Sequence, residues 1–343
     1  TQMVKSVIGI RPIDQKLLSI ERTNDEWGAY TLKTSYISKE PEQATYMNTD
    51  LAKTQLADGN SIDMYKIFAP EPVQYAFYNL SVLQNKRTFF LKPHLQQAMR
   101  SESDFRNFWN GAQLEFYNNI NKQRETLRRL TLANLIAGVS DMGLYEIDMT
   151  KAFNDEYGTS HTRAELLTTH LEEFAKFFAY TVNHISKLMG EYCNIFHGNP
   201  TKGKIDRQTP KRYLKMIFNS EYFDKINASV YSTIFNPSYL NVGELEEVNY
   251  WQSIKDPTSI KVKPNITDLS TGSSKAGNEV ELPYVLGVMF DRDACGVNTQ
   301  FDSTLTTPMN AGGRYWNVYS YINCNSWNDF TENVVTFVMG EGS

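Results

Sequence analysis

The chain has 343 residues and a formal net charge of -5, with 41% hydrophobic, 21% charged and 13% aromatic side chains. That length permits a sizeable core and two folded regions, and the mixture is that of an ordered globular protein. The acidic balance excludes a global positive field that would grip nucleic acid by releasing counterions.

Cys193, Cys295 and Cys324 are widely spaced, with no CxxC pair, which implies a reducing compartment. Asn79, Asn227 and Asn265 match N-x-[S/T], but no charged and apolar leader precedes them. No apolar run approaches the roughly 18 residues of a membrane span. The expectation is a soluble chain made in the cytoplasm.

The first ninety residues predict strands and no long helix, in "WGAYTLKTSYIS" (27 to 38) and "SIDMYKIFAPEPVQYAFYNLSVL" (61 to 83). The polar segment 39 to 60 between them ends in the turn pair Asp58-Gly59, so the two strands make a protruding hairpin. Pro70 and Pro72 cannot donate ladder hydrogen bonds and suit an edge or bend.

From Ser101 the period becomes helical. Phe105, Trp109, Ala112, Phe116 and Ile120 recur on one face, and the pattern resumes at Leu127 and Leu130 and runs through Leu135 to Gly138. This predicts one long helix, begun by Ser101 with Asp104 and stopped at Gly138 in a left-handed turn. Lys122, Arg124, Arg128 and Arg129 fall on exposed turns, as a solvated or subunit-facing stripe or as a contact for a polyanion.

Thr162 and Glu165 form a capping box for a second helix with the stripe Leu167, Leu171, Phe174, Phe178, Val182, Ile185 and Met189. Turn-rich excursions follow at 197 to 212 and 265 to 280, with "INASVYSTIFNPSYLNV" (226 to 242) between them. "LPYVLGVMFDRDACG" (282 to 296) is a buried strand ended by charge, and "NVVTFVM" (333 to 339) is the last apolar strand. In "NAGGRYWNVYSYINCNSW" (310 to 327), Trp316, Val318, Ile322 and Cys324 share one strand face. Tyr315, Tyr319 and Tyr321 share the other with Asn317 and Asn323, so both faces demand a covering layer.

Chemistry is sparse. His94, His161, His170, His184 and His197 show no metal spacing, and His170 and His184 stand roughly 21 Å apart by helical rise. There is no GxSxG elbow, P-loop or strand-linked GxGxxG. Asp291-Arg292-Asp293, after "VLGVMF", has the Asp-x-Asp form that can hold Mn²⁺ or Mg²⁺ against a sugar nucleotide, although charge also routinely ends a buried strand. Glu172-Glu173 and Glu246-Glu247 read as solvated faces, since adjacent helix residues do not face one another.

The segments "MYKIFAPEPVQYAFYNLSVLQNKRTFFLKP", "INASVYSTIFNPSYLNV", "VLGVMFDRDA" and "GGRYWNVYSYINCNSWNDFTENVVTFVMG" stand in the order arm, hairpin, long helix, mixed region and returning strands. In that order the chain resembles the major capsid proteins of tailed double-stranded DNA bacteriophages, the Hong Kong 97-type fold, and most closely those of small short-tailed phages. The resemblance implies an α+β fold with an N-terminal arm (1–26), an E-loop hairpin (27–85), a peripheral domain with a spine helix (86–142 and 301–343) and an axial domain (143–300). It places residues 313 to 324 in the peripheral domain's long sheet, between the spine helix and a neighbouring subunit's E-loop.

The implied function is structural: self-assembly into the icosahedral head that encloses the genome, with no catalytic, cofactor or metal residue. The implied partners are further copies in hexamers and pentamers, portal and scaffolding proteins, and packaged double-stranded DNA met without sequence preference on the inner face, with no membrane. Synthesis would be in the host cytoplasm and residence in the virion. Some members of the fold join an E-loop lysine to a neighbour's asparagine; Lys33, Lys39 and Lys53 are available, but no motif assigns them and no such cross-link is expected. The remaining readings are an encapsulin-type compartment shell and a metal-dependent glycosyltransferase using Asp291 and Asp293.

Overall fold

The structure, a computed structural model, describes residues 11–22, 31–38, 69–77, 80–90, 102–229 and 243–342. The elements begin with β1 (Glu21–Arg22), β2 (Thr31–Tyr36), β3 (Pro72–Phe77) and β4 (Leu80–Phe90). A long helix α1 (Glu102–Asp141) leads to β5 (Glu146–Asp148), α2 (Met149–Tyr157), α3 (Arg163–Leu166) and α4 (Leu171–Met189). Then come β6 (Leu214–Asn219), α5 (Ser220–Ser229), β7 (Glu244–Val248), β8 (Ile260–Val262), β9 (Asn265–Thr267), β10 (Ser274–Ala276) and β11 (Val280–Leu282). The C-terminal strands are β12 (Val285–Asp291), β13 (Cys295–Thr306), β14 (Tyr315–Asn328) and β15 (Val334–Val338).

Two larger sheets organise these elements, one of five strands in the order β5-β15-β12-β6-β7 and one of four in the order β1-β13-β14-β4. The five-stranded sheet is covered on both faces, which explains why every residue of β12 and β15 is buried. Met216, Phe218, Leu286, Met289, Val335 and Phe337 point at Phe174, Phe178 and Val182 of α4. Ile217, Val288, Phe290, Val334 and Val338 point the other way, at Leu132, Leu135, Ile136 and Val139 near the C-terminal end of α1. Each such side chain contributes about 1.5–3 kcal/mol by leaving water.

α1 is 40 residues long, roughly 60 Å at about 1.5 Å per residue, so it runs past this sheet and continues under the other. Gly138 lies inside the helix and does not stop it. A Cβ there would stand 2.3 Å from Phe330 Cζ, so the missing side chain permits close packing, and the left-handed turn is taken by Gly143 at φ 61°. Ser101 and the side chain of Phe105 lie outside the described residues. The second predicted helix is two: the capping box at Thr162 and Glu165 is present, but α3 closes after one turn and α4 starts at Leu171. Leu171, Phe174, Phe178, Val182, Ile185 and Met189 are buried as the stripe requires.

The basic stripe of α1 is mostly not exposed. Arg128 is only 1% exposed; it donates to the Lys16 carbonyl at 2.7 Å and to Gln15 Oε1, and lies 3.5 Å from Glu21. Arg129 donates to the Tyr250 carbonyl at 2.6 Å and to Glu125, its guanidinium 3.9 Å above the Tyr250 ring, and Arg124 pairs with Asp302. The helix faces these residues toward the chain's own N-terminal segment and strands, where each cation has an internal partner; only Lys122 stays exposed.

β2 and β3 pair antiparallel, from Thr31↔Phe77 to Tyr36↔Pro72, as the base of the predicted hairpin. Its tip, residues 39 to 60, lies outside the described residues, as do His94 and most of 226 to 242. The expected division at 300/301 falls inside β13, and β15 pairs with β12 and β5. The C-terminal strands are therefore shared: 295–328 to the four-stranded sheet and 334–338 to the five-stranded one.

Candidate functional site

In the four-stranded sheet β14 is the central strand, paired with β4 over Tyr315↔Phe90 to Asn325↔Leu80 and with β13 on its other edge. Alternation sends Val318, Ile322 and Cys324 toward Phe116 and Ile120 of α1, with Leu83 and Leu127 beside them. Trp316 lies 5.1 Å from the ring of Trp109 and 6.3 Å from Phe89. Asn85 exchanges two amide hydrogen bonds with Gln123, at 2.8 and 2.9 Å, and Arg87 pairs with Glu115 at 2.7 Å. The strand pattern demanded a covering layer, and on this face the layer is α1, as the resemblance implied.

The opposite face has no cover among the described residues. A register shift between Thr299 and Phe301 turns β13 over, so Val297 packs against the helix side while Phe301 and Leu305 point outward. Phe301 is 52% exposed, Leu305 59%, Val82 60% and Phe90 46%, and half-buried Tyr315, Tyr319 and Tyr321 lie among them. Tyr319 and Tyr321 stack at 6.2 Å and Thr88 Oγ1 donates to Asn317 Oδ1 at 2.7 Å, so the face is ordered as well as apolar. The exposed apolar side chains are interspersed with Gln84, Lys86 and Thr88 of β4 and Ser303 of β13, an amphipathic mixture that suits contact with another surface.

A second cluster fixes the hairpin base to the body. Lys33 Nζ contacts the carboxylates of Asp329 and Glu332 and donates to Thr331 Oγ1 at 3.0 Å. Arg207 donates to Ser35 Oγ at 2.8 Å and to the Thr331 carbonyl at 3.1 Å, and lies 3.5 Å from Glu332. Ser38 and Ala76 add backbone hydrogen bonds to Lys204 and Gly272. Lys33 is thus occupied within its own chain, while Lys39 and Lys53 lie outside the described residues.

Asp291 joins a buried chain of polar groups and is separated from Asp293. Its carboxylate accepts from Thr209 Oγ1 at 2.7 Å and from the Asp293 amide at 2.8 Å, and burial raises its pKa. Asn333 donates to Thr209 Oγ1 at 3.2 Å, and its amide oxygen faces His197 Nδ1 at 2.9 Å. Asp293 is exposed and pairs with Arg22 at 3.6 Å. The Asp-x-Asp carboxylates therefore do not converge, and no group of three or more metal-ligating side chains occurs among the described residues. His170 meets His161, its ring 4.1 Å away, beside a cleft of about 410 Å³ lined by Phe153, Tyr157 and Lys176, while His184 stacks on Tyr180.

His197 is 3% exposed, and burial lowers its pKa despite its hydrogen bonds to Asn333 and the Ile205 carbonyl. A depressed histidine is protonated first in the unfolded chain, so its stability contribution is full above about pH 6.5 and is lost as pH falls through that value. His197→Gln should flatten that loss, by up to about 1.4 kcal/mol per pH unit. Asp291 and Glu332, both raised by burial, act with the opposite sign, so the difference between the two proteins isolates His197. Urea unfolding at about pH 7 and about pH 5 measures it, and parallel wild-type and variant curves would refute the assignment.

A sequence model of the Phi29-like phage major capsid proteins matches residues 32–338. Among solved structures, a chain in the capsid of Staphylococcus phage Andhra superposes with a TM-score of 0.63 at 8% identity, covering 99% of this chain and 88% of that one. A chain in the structure of the head fiber and inner core protein gp22 of native bacteriophage P68 gives 0.61 at 9%, with 99% and 88% covered. One in the capsid of Cyanophage P-SCSP1u gives 0.53 at 12%, with 98% and 93% covered. No curated protein sequence matches the chain. These identities speak for fold, and the family match covers nearly the whole length; neither supports a glycosyltransferase or an encapsulin. The chain belongs to the Phi29-like phage major capsid proteins and is a structural protein of the phage head shell, built on the Hong Kong 97-type fold.

Proposed function

We propose that the outer face of the four-stranded sheet receives the E-loop hairpin of a neighbouring copy, the part of 27–85 that precedes β4, so that the layer missing from one subunit is supplied by the next. The observation that carries this reading is the half-exposed row of Val82, Phe90, Phe301 and Leu305 on an ordered sheet. The four-stranded sheet with the N-terminal part of α1 is then the peripheral domain, and 143–294 with 334–338 the axial domain. Residues 11–22 belong to the N-terminal arm. Repetition of such contacts by closed symmetry, in hexamers and pentamers of an icosahedral head, stabilises a whole from individually modest interfaces.

In this reading the chain catalyses no reaction on a substrate, and Asp291 serves the fold. Portal and scaffolding proteins complete the head during assembly in the host cytoplasm. The wall meets packaged double-stranded DNA without sequence preference; net acidity and internally paired arginines favour a wall that does not cling to phosphates.

Removal of 39–60, with the strands rejoined by a short turn, separates folding from assembly. Little apolar surface is lost from the subunit, and the loop-closure change is small, so the thermal melt stays within a few degrees. Particle counts by electron microscopy should fall at least tenfold. Normal particles in normal yield would refute the hairpin's role.

A further inference from the structure

The cluster at the hairpin base carries more than an ion pair. Lys33 Nζ touches the carboxylate of Asp329 through Oδ2 and that of Glu332 through Oε1. The side chain of Asp329 is 3% exposed, that of Glu332 13% and that of Lys33 21%, so the three groups meet largely out of water. The other oxygen of Asp329, Oδ1, accepts from the Thr331 amide at 2.9 Å and from Thr331 Oγ1 at 2.6 Å. Two fixed donors on that atom are what a developing oxyanion at Asp329 requires. An amine, a polarised carboxyl and a second carboxyl able to move protons stand together, with the buried ring of Tyr75 near enough to feel the charge of Asp329.

We propose that Lys33 and Asp329 condense into an amide within one chain, with Glu332 relaying the protons. One ammonium proton passes to Asp329 Oδ2, and the freed amine attacks Cγ. The tetrahedral oxygen Oδ1 is held by the two Thr331 donors. Glu332 takes a second proton from the nitrogen and returns it to the Oδ2 hydroxyl, which leaves as water with the electron pair of the C–O bond. One N–C bond forms, one C–O bond breaks, two of the three ammonium protons leave in the water, and nothing is oxidised or reduced.

Two features favour the reaction. Orientation within a folded site gives effective molarities of about 10⁵–10⁸ M, enough to offset the dilution of a condensation carried out in water. Charge also balances afterwards: Lys33 and Asp329 become neutral, and Glu332 keeps Arg207 at 3.5 Å, so no buried ion is stranded. Burial raises the carboxyl of Glu332 toward the protonated form that a relay visits.

Mass spectrometry of the denatured wild-type chain decides. The expected mass is one water below that of the linear sequence. Trypsin should fail at Lys33 and release a branched peptide joining the segments that carry Lys33 and Asp329. Lys33→Arg should restore the linear mass, and Glu332→Gln should restore it or slow the loss at least tenfold. The linear mass in folded wild-type protein after prolonged incubation would overturn the proposal. So would a water loss that persists in Lys33→Arg, such as ring closure at Asp58-Gly59, or a linkage found only between two chains. Because the first reading is made on the wild type, the bond is detected or refuted even where a variant fails to fold, and because it concerns one chain it stands apart from shell formation.

Discussion

A chain carrying Phe301→Glu and Leu305→Glu should fold normally and form no shells. Both side chains are more than half exposed in the subunit, so their replacement changes its stability by about 0.5 kcal/mol or less. Under a neighbouring copy each would otherwise contribute about 1.5–3 kcal/mol, and a carboxylate in its place adds a desolvation penalty. A loss of about 4 kcal/mol per contact weakens it about a thousandfold, at 1.4 kcal/mol for each factor of ten. A closed shell repeats the loss at every equivalent contact. Sedimentation reads the particles and a thermal melt reads the fold; wild-type particle yield would remove this face from the interface.

Arg128→Met should be the most destabilising single change outside the apolar cores. The guanidinium holds the Lys16 carbonyl, Gln15 and Glu21 from α1, while ten residues earlier on the same helix the Asn118 amide oxygen receives Ile13 N–H at 3.1 Å. Methionine fills similar volume but leaves those acceptors without their donor, a loss of about 3–5 kcal/mol when one partner of a buried pair is removed. The urea midpoint should fall accordingly. Amide exchange at Leu17, whose N–H bonds to Glu246, should rise as the segment loosens. An unchanged midpoint would mean that the N-terminal segment is held by its apolar contacts at Leu17 and Ile20 alone.

Period was the legible signal. The 3.6-residue recurrence located α1 to within a few residues at each end, and the alternation in 315–324 set apart two faces, one of which packs on α1. Tertiary partners were not legible. Arg124, Arg128 and Arg129 look like a solvated stripe because charge pattern does not reveal that β13, residues 11–22 and Tyr250 will meet them. Gly138 reads as a stop unless the ring of Phe330, far along the chain, is known to press on it. β15 is a short apolar run that would suit either sheet, and its place beside β12 follows from pairing that no local pattern encodes. Lys33 belongs to a strand of unremarkable alternation, and its meeting with Asp329 spans 296 positions, beyond the reach of any motif.

The same long-range pairing orders events during synthesis. β4 finds its partner only in residues 315–325, β1 waits for residues 297 and 298, and Lys33 waits for Asp329. A ribosome adding about 5–20 residues per second therefore exposes the hairpin and α1 well before the strand that completes the sheet has emerged. In the proposed reading the sheet face that receives a hairpin is assembled last, so an unfinished chain can offer its hairpin to a finished copy but has no face on which to receive one.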